Sequence, residues 1–354
     1  MSKYTAIIPY YKGRKTLPIC LSSFVSNRNH LEKIIISKDS DDFIGDIVEE
    51  FESCFDIPVE VIYVPKNISN GPGVTRQYAL DRVTTEYVVF CDQDDCYLPY
   101  SIDKMFNIAN NSKGRKMGVV YGRVEKLYPE KDEIGIEFNT EYDENSTHHT
   151  NLVNGALWNM EFIKEAKLSF HPKMYMMEDI YFNSLVSIYF DKFGFEKWDF
   201  CITPYTTYVW TTHSNQYSTI HQKDFWCNQL IYFYKRFLYT YEILDANDSI
   251  YNMRLRRHCY SVLIFSYCYI NKALNQGATE EQLNLYFTYL KRLLIIFQEL
   301  TDATLENIYQ EMIRKIREED KEIQENAGGI NYVLSFEKYW DMLMIAEPIK
   351  LEDA

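Results

Sequence analysis

Short apolar runs and helical stripes alternate through the first hundred positions. Tyr4–Pro9 (YTAIIP) is an apolar run closed by proline, the pattern of a parallel strand buried on both faces. Thr16–Val25 sets Leu17, Cys20, Leu21 and Phe24 at helical spacing. Ile34–Ser37 reads as a second strand and Ile44–Phe55 as a second amphipathic helix, through Ile44, Ile47, Val48 and Phe51. Val59–Val64 is a third strand, Gly73–Val83 a helix opened by a Gly-Pro-Gly turn, and Tyr87–Cys91 (YVVFC) a fourth strand. Strand and helix alternating four times on short connections predicts an α/β unit built on a mostly parallel sheet flanked by helices.

Beyond Cys91 the rhythm breaks. Val119–Leu127 reads as a strand, Asp132–Thr150 as a polar surface loop, and Leu152–Trp158, Asp179–Tyr189 and Tyr205–Trp210 as strand, helix and strand. After the polar run Thr211–Thr219 strands disappear. Gln229–Leu244, Arg254–Ala273, Glu280–Leu300, Ala303–Ile323 and Tyr332–Ile345 all carry helical stripes. The pattern predicts two domains, an α/β domain over 1–220 and an all-α segment over 221–354.

The chain has 354 residues, with 37 Lys plus Arg against 51 Asp plus Glu, a formal charge of −14. The helical part holds 15 basic and 20 acidic residues, net −5. The remainder holds 22 and 31, net −9. Neither part has the basic balance that phosphate neutralisation along a nucleic acid requires. Hydrophobic residues at 46% are ample for a core, which excludes wholesale disorder. The eight cysteines form no CxxC pair, so they read as buried thiols in a reducing compartment rather than a zinc site or a disulfide scaffold. With no leader-like N-terminus and no apolar run of membrane-spanning length, the expected location is the cytosol, with peripheral association at a membrane left open.

The sharpest local signal is Asp92-Gln93-Asp94-Asp95, directly after the fourth strand. In an open parallel sheet, ligands bind beyond the carboxyl ends of the strands. Carboxylates crowded there repel one another unless a cation lies between them, and hard oxygen ligands select Mg²⁺ or Mn²⁺. An acidic surface turn is the alternative. Glu178 and Asp179 open a predicted helix, where they either complement its positive end or supply a second carboxylate pair. A diphosphate site beside a general base is the set that a sugar transfer needs.

The segments over residues 3 to about 220 resemble a family-two glycosyltransferase of the GT-A fold. Ile7-Ile8-Pro9-Tyr10-Tyr11 is similar to the family's opening IPxYN, with Lys12 in place of Asn. Ile35 to Ser40 is a degraded VDDGS in which Lys38 replaces the first Asp and Asp39 keeps the second. Asn67 to Arg76 resembles the Asn-Gly-rich segment with its following Arg. Asp92, Asp94 and Asp95 with Pro99 match DxDDxxxP. Asn154-Gly155 and Glu178-Asp179 match the acceptor-side strand and the ED motif, and Tyr208 to Ser218 resembles the closing YR…HxxS, with Val209 for Arg.

The resemblance implies a role for each. Pro9 and Tyr11 line the donor site, Tyr11 stacking on the nucleobase while Asp39 accepts from its ring N–H. Arg76 pairs with the diphosphate or with an acidic neighbour. Asp92 faces the ribose or the ion, and Asp94 is the main metal ligand, with His213 a further metal or diphosphate contact. Asn154 and Gly155 lie on the acceptor side, Asp179 is the general base and Glu178 its support. The donor side falls in 1–100 and the acceptor side in 101–220.

The expected function is inverting transfer from a nucleotide sugar, UDP-linked, to a glycan or wall-polymer hydroxyl, with Mn²⁺ or Mg²⁺. Transfer to a hydroxymethylated base of phage DNA and a catalytically degenerate sugar-binding protein are the alternatives. The aromatic stripes of the helical segment read as internal packing, a homodimer surface or a platform for a long acceptor.

Overall fold

The computed structural model describes residues 2–68, 71–112, 114–129, 133–136, 152–212, 225–243, 249–327, 332–350 and 353. The chain divides into two compact units, Met1–Gln216 and Tyr217–Ala354.

The first unit begins as the alternation predicts: β1 (Tyr4–Tyr10), α1 (Leu17–Ser22), β2 (Leu31–Lys38), α2 (Gly45–Phe55), β3 (Val59–Tyr63), α3 (Pro72–Leu80) and β4 (Tyr87–Phe90). Every residue of β1 and β4 is buried, which is why these strands are apolar, Thr5 apart, rather than alternating. Strand β5 (Cys96–Tyr97), helix α4 (Ser101–Asn111), strands β6 (Lys116–Tyr128), β7 (Glu133–Ile136) and β8 (Ala156–Asn159), helices α5 (Met160–Glu165) and α6 (Glu178–Phe193), and strand β9 (Trp198–Thr211) follow.

The sheet runs β3-β2-β1-β4-β8-β6-β9-β5, with β7 on β6. The parallel layout holds for β1 to β4; beyond them β8 pairs antiparallel with both β4 and β6, and the sheet becomes mixed. Within the stretch expected to be a polar loop, Glu133–Ile136 is a strand paired with Glu125–Tyr128; residues 137–151 lie outside the described residues. Helix α5 starts at Asn159, whose side chain accepts from the backbone N–H groups of Glu161 and Phe162 at 2.8 and 3.3 Å. Inside the unit, the thiols of Cys20 and Cys91 lie 3.6 Å apart, buried in the apolar core.

In the second unit the helices are α7 (Phe225–Glu242), α8 (Ser249–Asn275), α9 (Glu280–Thr301), α10 (Leu305–Ala327) and α11 (Phe336–Ile345). Helix α9 opens with a capping box between Thr279 and Gln282, and its buried Leu290, Leu293 and Leu294 form part of the unit's core. Two of the buried tyrosines are anchored by their hydroxyls: Tyr267 donates to the Leu334 carbonyl at 2.9 Å, and Tyr339 and Ser266 share a 2.6 Å hydrogen bond. Among the described residues no helix is long and apolar enough to cross a membrane.

Candidate active site

Strands β1, β2 and β4 run parallel, so their carboxyl ends open at one edge of the sheet. Phe90, the last residue of β4, pairs with Ile7, so β4 stops three residues before β1 does. The acidic loop Cys91–Asp95 therefore runs alongside Pro9, Tyr10 and Tyr11. A backbone hydrogen bond from Asp95 N–H to the Asp92 carbonyl, 3.1 Å, closes the loop as a turn.

The three carboxylates of this turn meet three different environments. Asp92 accepts from Arg76 Nη2 at 2.6 Å on one oxygen and from Asn154 Nδ2 at 3.0 Å on the other. Asp95 is buried, and its oxygens accept from the Tyr208 hydroxyl at 2.7 Å and the Thr211 N–H at 2.8 Å. Burial, followed by the charges of Asp94 and Asp92, pushes its carboxyl well above the usual carboxylate range. The same Tyr208 hydroxyl accepts the Asp92 N–H at 3.0 Å, so one phenol ties the turn to β9 at both ends. Asp94 is half-buried between the two.

Arg76 rises from α3, whose start needs a glycine: Gly71 has φ +83° and precedes Pro72. The guanidinium is buried and forms a bridge, Nη2 to Asp92 and Nη1 to Glu178 Oε1, both at 2.6 Å. Burial weakens its charge, but Asp92 and Glu178 more than restore it. Of the two partners open to Arg76 from sequence, the structure supplies the acidic ones.

Glu178 and Asp179 are the first two residues of α6, entered through Met177 at φ +60°. Glu178 is buried on Arg76. Asp179 is half-buried and accepts the Ile180 N–H at 2.8 Å. Loss of solvent and the neighbouring Glu178 raise the Asp179 carboxyl to about 7, against the pull of Arg76. Adjacent carboxylates are thus divided, one paired with a cation and one poised to exchange a proton near neutrality.

On the side expected to hold the donor, Pro9 is buried in β1 and contributes no polar side chain, while Tyr11 stands beyond the strand with 58% of its surface exposed. Asp39 follows β2, its N–H bonded to the Tyr10 carbonyl at 2.9 Å. Lys38, which stands where the family pattern has Asp, turns inward and is 3% exposed. Its ammonium donates to the Ser40 carbonyl and lies 3.7 Å from Asp42. Asp42 also accepts from Ser40 at 2.5 Å and from the Tyr10 hydroxyl. Against the effect of burial, these hydrogen bonds and the Lys38 charge hold the Asp42 carboxyl below its ordinary range. This Tyr10–Lys38–Asp42 group was not foreseen; its trace in the sequence is only the i, i+4 spacing of Lys38 and Asp42.

Asn154 and Gly155, expected on the acceptor side, are buried. Asn154 holds Asp92, and Gly155, at φ +72°, donates its N–H to the Tyr97 hydroxyl at 3.1 Å and accepts from Thr207 at 2.8 Å. The requirement for a left-handed backbone and a contact with β9 explains the glycine. His213 lies outside the described residues. Among the described residues no group of three or more His, Cys, Asp and Glu is arranged to hold a metal. Asp94 with Asp92 is a smaller set of hard oxygen donors, and it fits the habit of Mg²⁺ and Mn²⁺, which take one or two carboxylates and complete their shell with phosphates and water.

Residues 5–176 match the family described as Glycosyl transferase family 2. The teichoic acid poly(glycerol phosphate) polymerase of Staphylococcus epidermidis is 30% identical over 115 residues, 32% of this chain and 16% of that protein. The putative teichuronic acid biosynthesis glycosyltransferase TuaG of Bacillus subtilis is 31% identical over 101 residues, 28% of this chain and 39% of that protein. The matches thus span well under half of these relatives' lengths. Among solved structures, S. aureus TarS 1–349 in complex with UDP-GlcNAc superposes with a TM-score of 0.63 over 92% of this chain and 89% of that one, at 15% identity, a likeness of fold.

Proposed function

We propose that this chain, whose residues 5–176 match the family described as Glycosyl transferase family 2, transfers a sugar from a UDP-linked donor to a hydroxyl of a wall polymer of the teichoic class. The observation that carries the reading is the division of labour between Glu178 and Asp179. Arg76 neutralises the first, and the second is left half-buried with its carboxyl near 7. A protein that only bound sugar would gain nothing from a carboxylate tuned to accept a proton at physiological pH.

In this reading the nucleobase lies against Tyr11 with Asp39 at its ring N–H, and the diphosphate lies toward Asp94. A divalent cation at Asp94 and Asp92 would neutralise the departing nucleoside diphosphate. Asp179 takes the proton of the acceptor hydroxyl as that oxygen forms its bond to the anomeric carbon. The bond from that carbon to the diphosphate oxygen breaks on the opposite face, so configuration inverts. Arg76 and Asn154 keep Asp92 in place while charge moves through the site. The names of the two relatives, both concerned with anionic wall polymers, support the choice of acceptor.

The test is incubation of the full chain with UDP-sugars, Mn²⁺ and purified poly(glycerol phosphate), poly(ribitol phosphate) or teichuronic polymers. Sugar incorporated with inverted anomeric configuration, seen by NMR and lost in Asp179→Asn, is the expected result. Donor binding with no transfer to any polyol-phosphate or uronic acid polymer would reject the acceptor class.

A further inference from the structure

Gln93 stands between the two carboxylates of the Asp92–Asp94 motif, and the mechanism above gives it no task. Its side-chain amide is engaged at both ends by one residue of another loop. Oε1 accepts the Tyr11 N–H at 2.8 Å and Nε2 donates to the Tyr11 carbonyl at 2.9 Å. A primary amide pairing with both polar groups of one residue reproduces what a neighbouring strand would offer, just where β1 has ended at Tyr10. The local backbone is shaped around this contact. Lys12 adopts φ +51°, and a Cβ at Gly13 would collide with the Gln93 amide carbon, so the side chain fills space that only glycine leaves. Lys12 Nζ, 5.1 Å from the centre of the Tyr11 ring, braces the same aromatic group from its other neighbour.

We propose that Gln93 is a positioning residue that sets the distance between the Tyr11 platform and the Asp92–Asp94 carboxylates, so that the base and the diphosphate of one nucleotide engage both together. The proposal rests on reading this edge of the sheet as a nucleotide-sugar site. Its physical basis is preorganisation. A ligand that spans two contact points gains from their joint presence only when they hold the ligand's own spacing. Tyr11 is largely exposed on a turn, and without the amide that spacing would have to be set during binding.

The decisive measurement compares a nucleotide with its parts. Calorimetry on the full chain with Mn²⁺ would use UDP, uridine and pyrophosphate as probes, with wild type, Gln93→Ala and Gln93→Met. Methionine keeps the bulk against Gly13 but removes both hydrogen bonds. Both variants are expected to bind UDP about tenfold more weakly, the scale of two lost partly exposed hydrogen bonds, while uridine and pyrophosphate bind as in wild type. Undiminished UDP affinity in Gln93→Met, or equal weakening of all three probes, would overturn the positioning role while leaving the site intact. If wild type itself bound neither UDP nor its parts, the nucleotide reading would fall and the Gln93 role with it.

Discussion

Arg76 and Glu178 are 102 residues apart in the chain and 2.6 Å apart in space, Nη1 to Oε1, with both side chains buried. Through the other terminal nitrogen of Arg76, the helix that carries the carboxylate pair is fastened to the acidic turn after β4. Arg76→Ala would strand two carboxylates, Glu178 wholly buried and Asp92 partly so. The expected loss of stability is about 3–5 kcal/mol, read from denaturant midpoints. Arg76→Lys should recover little of it, because one ammonium does not span the two partners as the planar fork does. A lysine variant as stable as wild type would show that the bridge is not structural.

The raised carboxyl of Asp179 predicts an acid limb. Because the base must be unprotonated, kcat/KM should fall below pH about 7, tenfold per pH unit. Asp179→Asn should lower turnover by about 10²–10⁴-fold and abolish this limb.

The same group makes an opposite prediction for stability. Its folded pKa lies above its unfolded value, so the folded chain holds this proton more tightly, and the stabilisation is full below pH about 4 and lost as pH rises through about 7. Asp179→Asn should therefore melt higher than wild type at pH 8, with the advantage vanishing near pH 4. A melting difference independent of pH would contradict the burial argument.

Asp94→Asn should remove the Mn²⁺-dependent part of UDP affinity, as chelation by EDTA should in wild type, whereas Asp179→Asn should leave that affinity almost unchanged. Calorimetry with and without the metal separates the two. Equal losses of nucleotide affinity in both variants would refute the assignment of donor and acceptor roles.

Tyr208→Phe tests the tie between β9 and the acidic turn. The hydroxyl accepts from the Asp92 N–H and donates to buried Asp95, so its removal leaves two polar groups short of a partner. The expected cost is about 1–3 kcal/mol, measured by chemical denaturation.

Much of this architecture can be read from the chain. Strands β1 and β4 declare themselves because burial on both faces demands mainly apolar runs. Helix α4 does have Ile102, Met105, Phe106 and Ala109 on one face, but Asn107, Asn110 and Asn111 dilute the signal. Strand β5 has two residues, too few for any period, and exists because β9 pairs with it. The ends of β6 and β9 likewise extend through partnership beyond their apolar centres. Within the site, Asp92, Asp94, Glu178, Asp179 and Arg76 are visible as residue types at suggestive places. Their pairing is not, since Asn154 meets Asp92 from 62 positions away and Glu178 meets Arg76 from 102. The pairing of Gln93 is equally hidden because its partner is backbone, which leaves no mark on sequence.

The internal pairing of these acids changes what an approaching polyanion encounters. By count, the rim of β1, β2 and β4 is among the most acidic parts of a chain of net charge −14. Yet Asp92 and Glu178 share one guanidinium, Asp42 faces the Lys38 ammonium, and Asp95 is a shielded acid inclined to keep its proton. Part of the repulsive potential that the formal charge would project into the crevice is thus cancelled within the wall. Capture of a nucleoside diphosphate should consequently accelerate with added salt far less than a uniformly charged sphere of −14 would predict, a trend accessible to stopped-flow measurement across ionic strength.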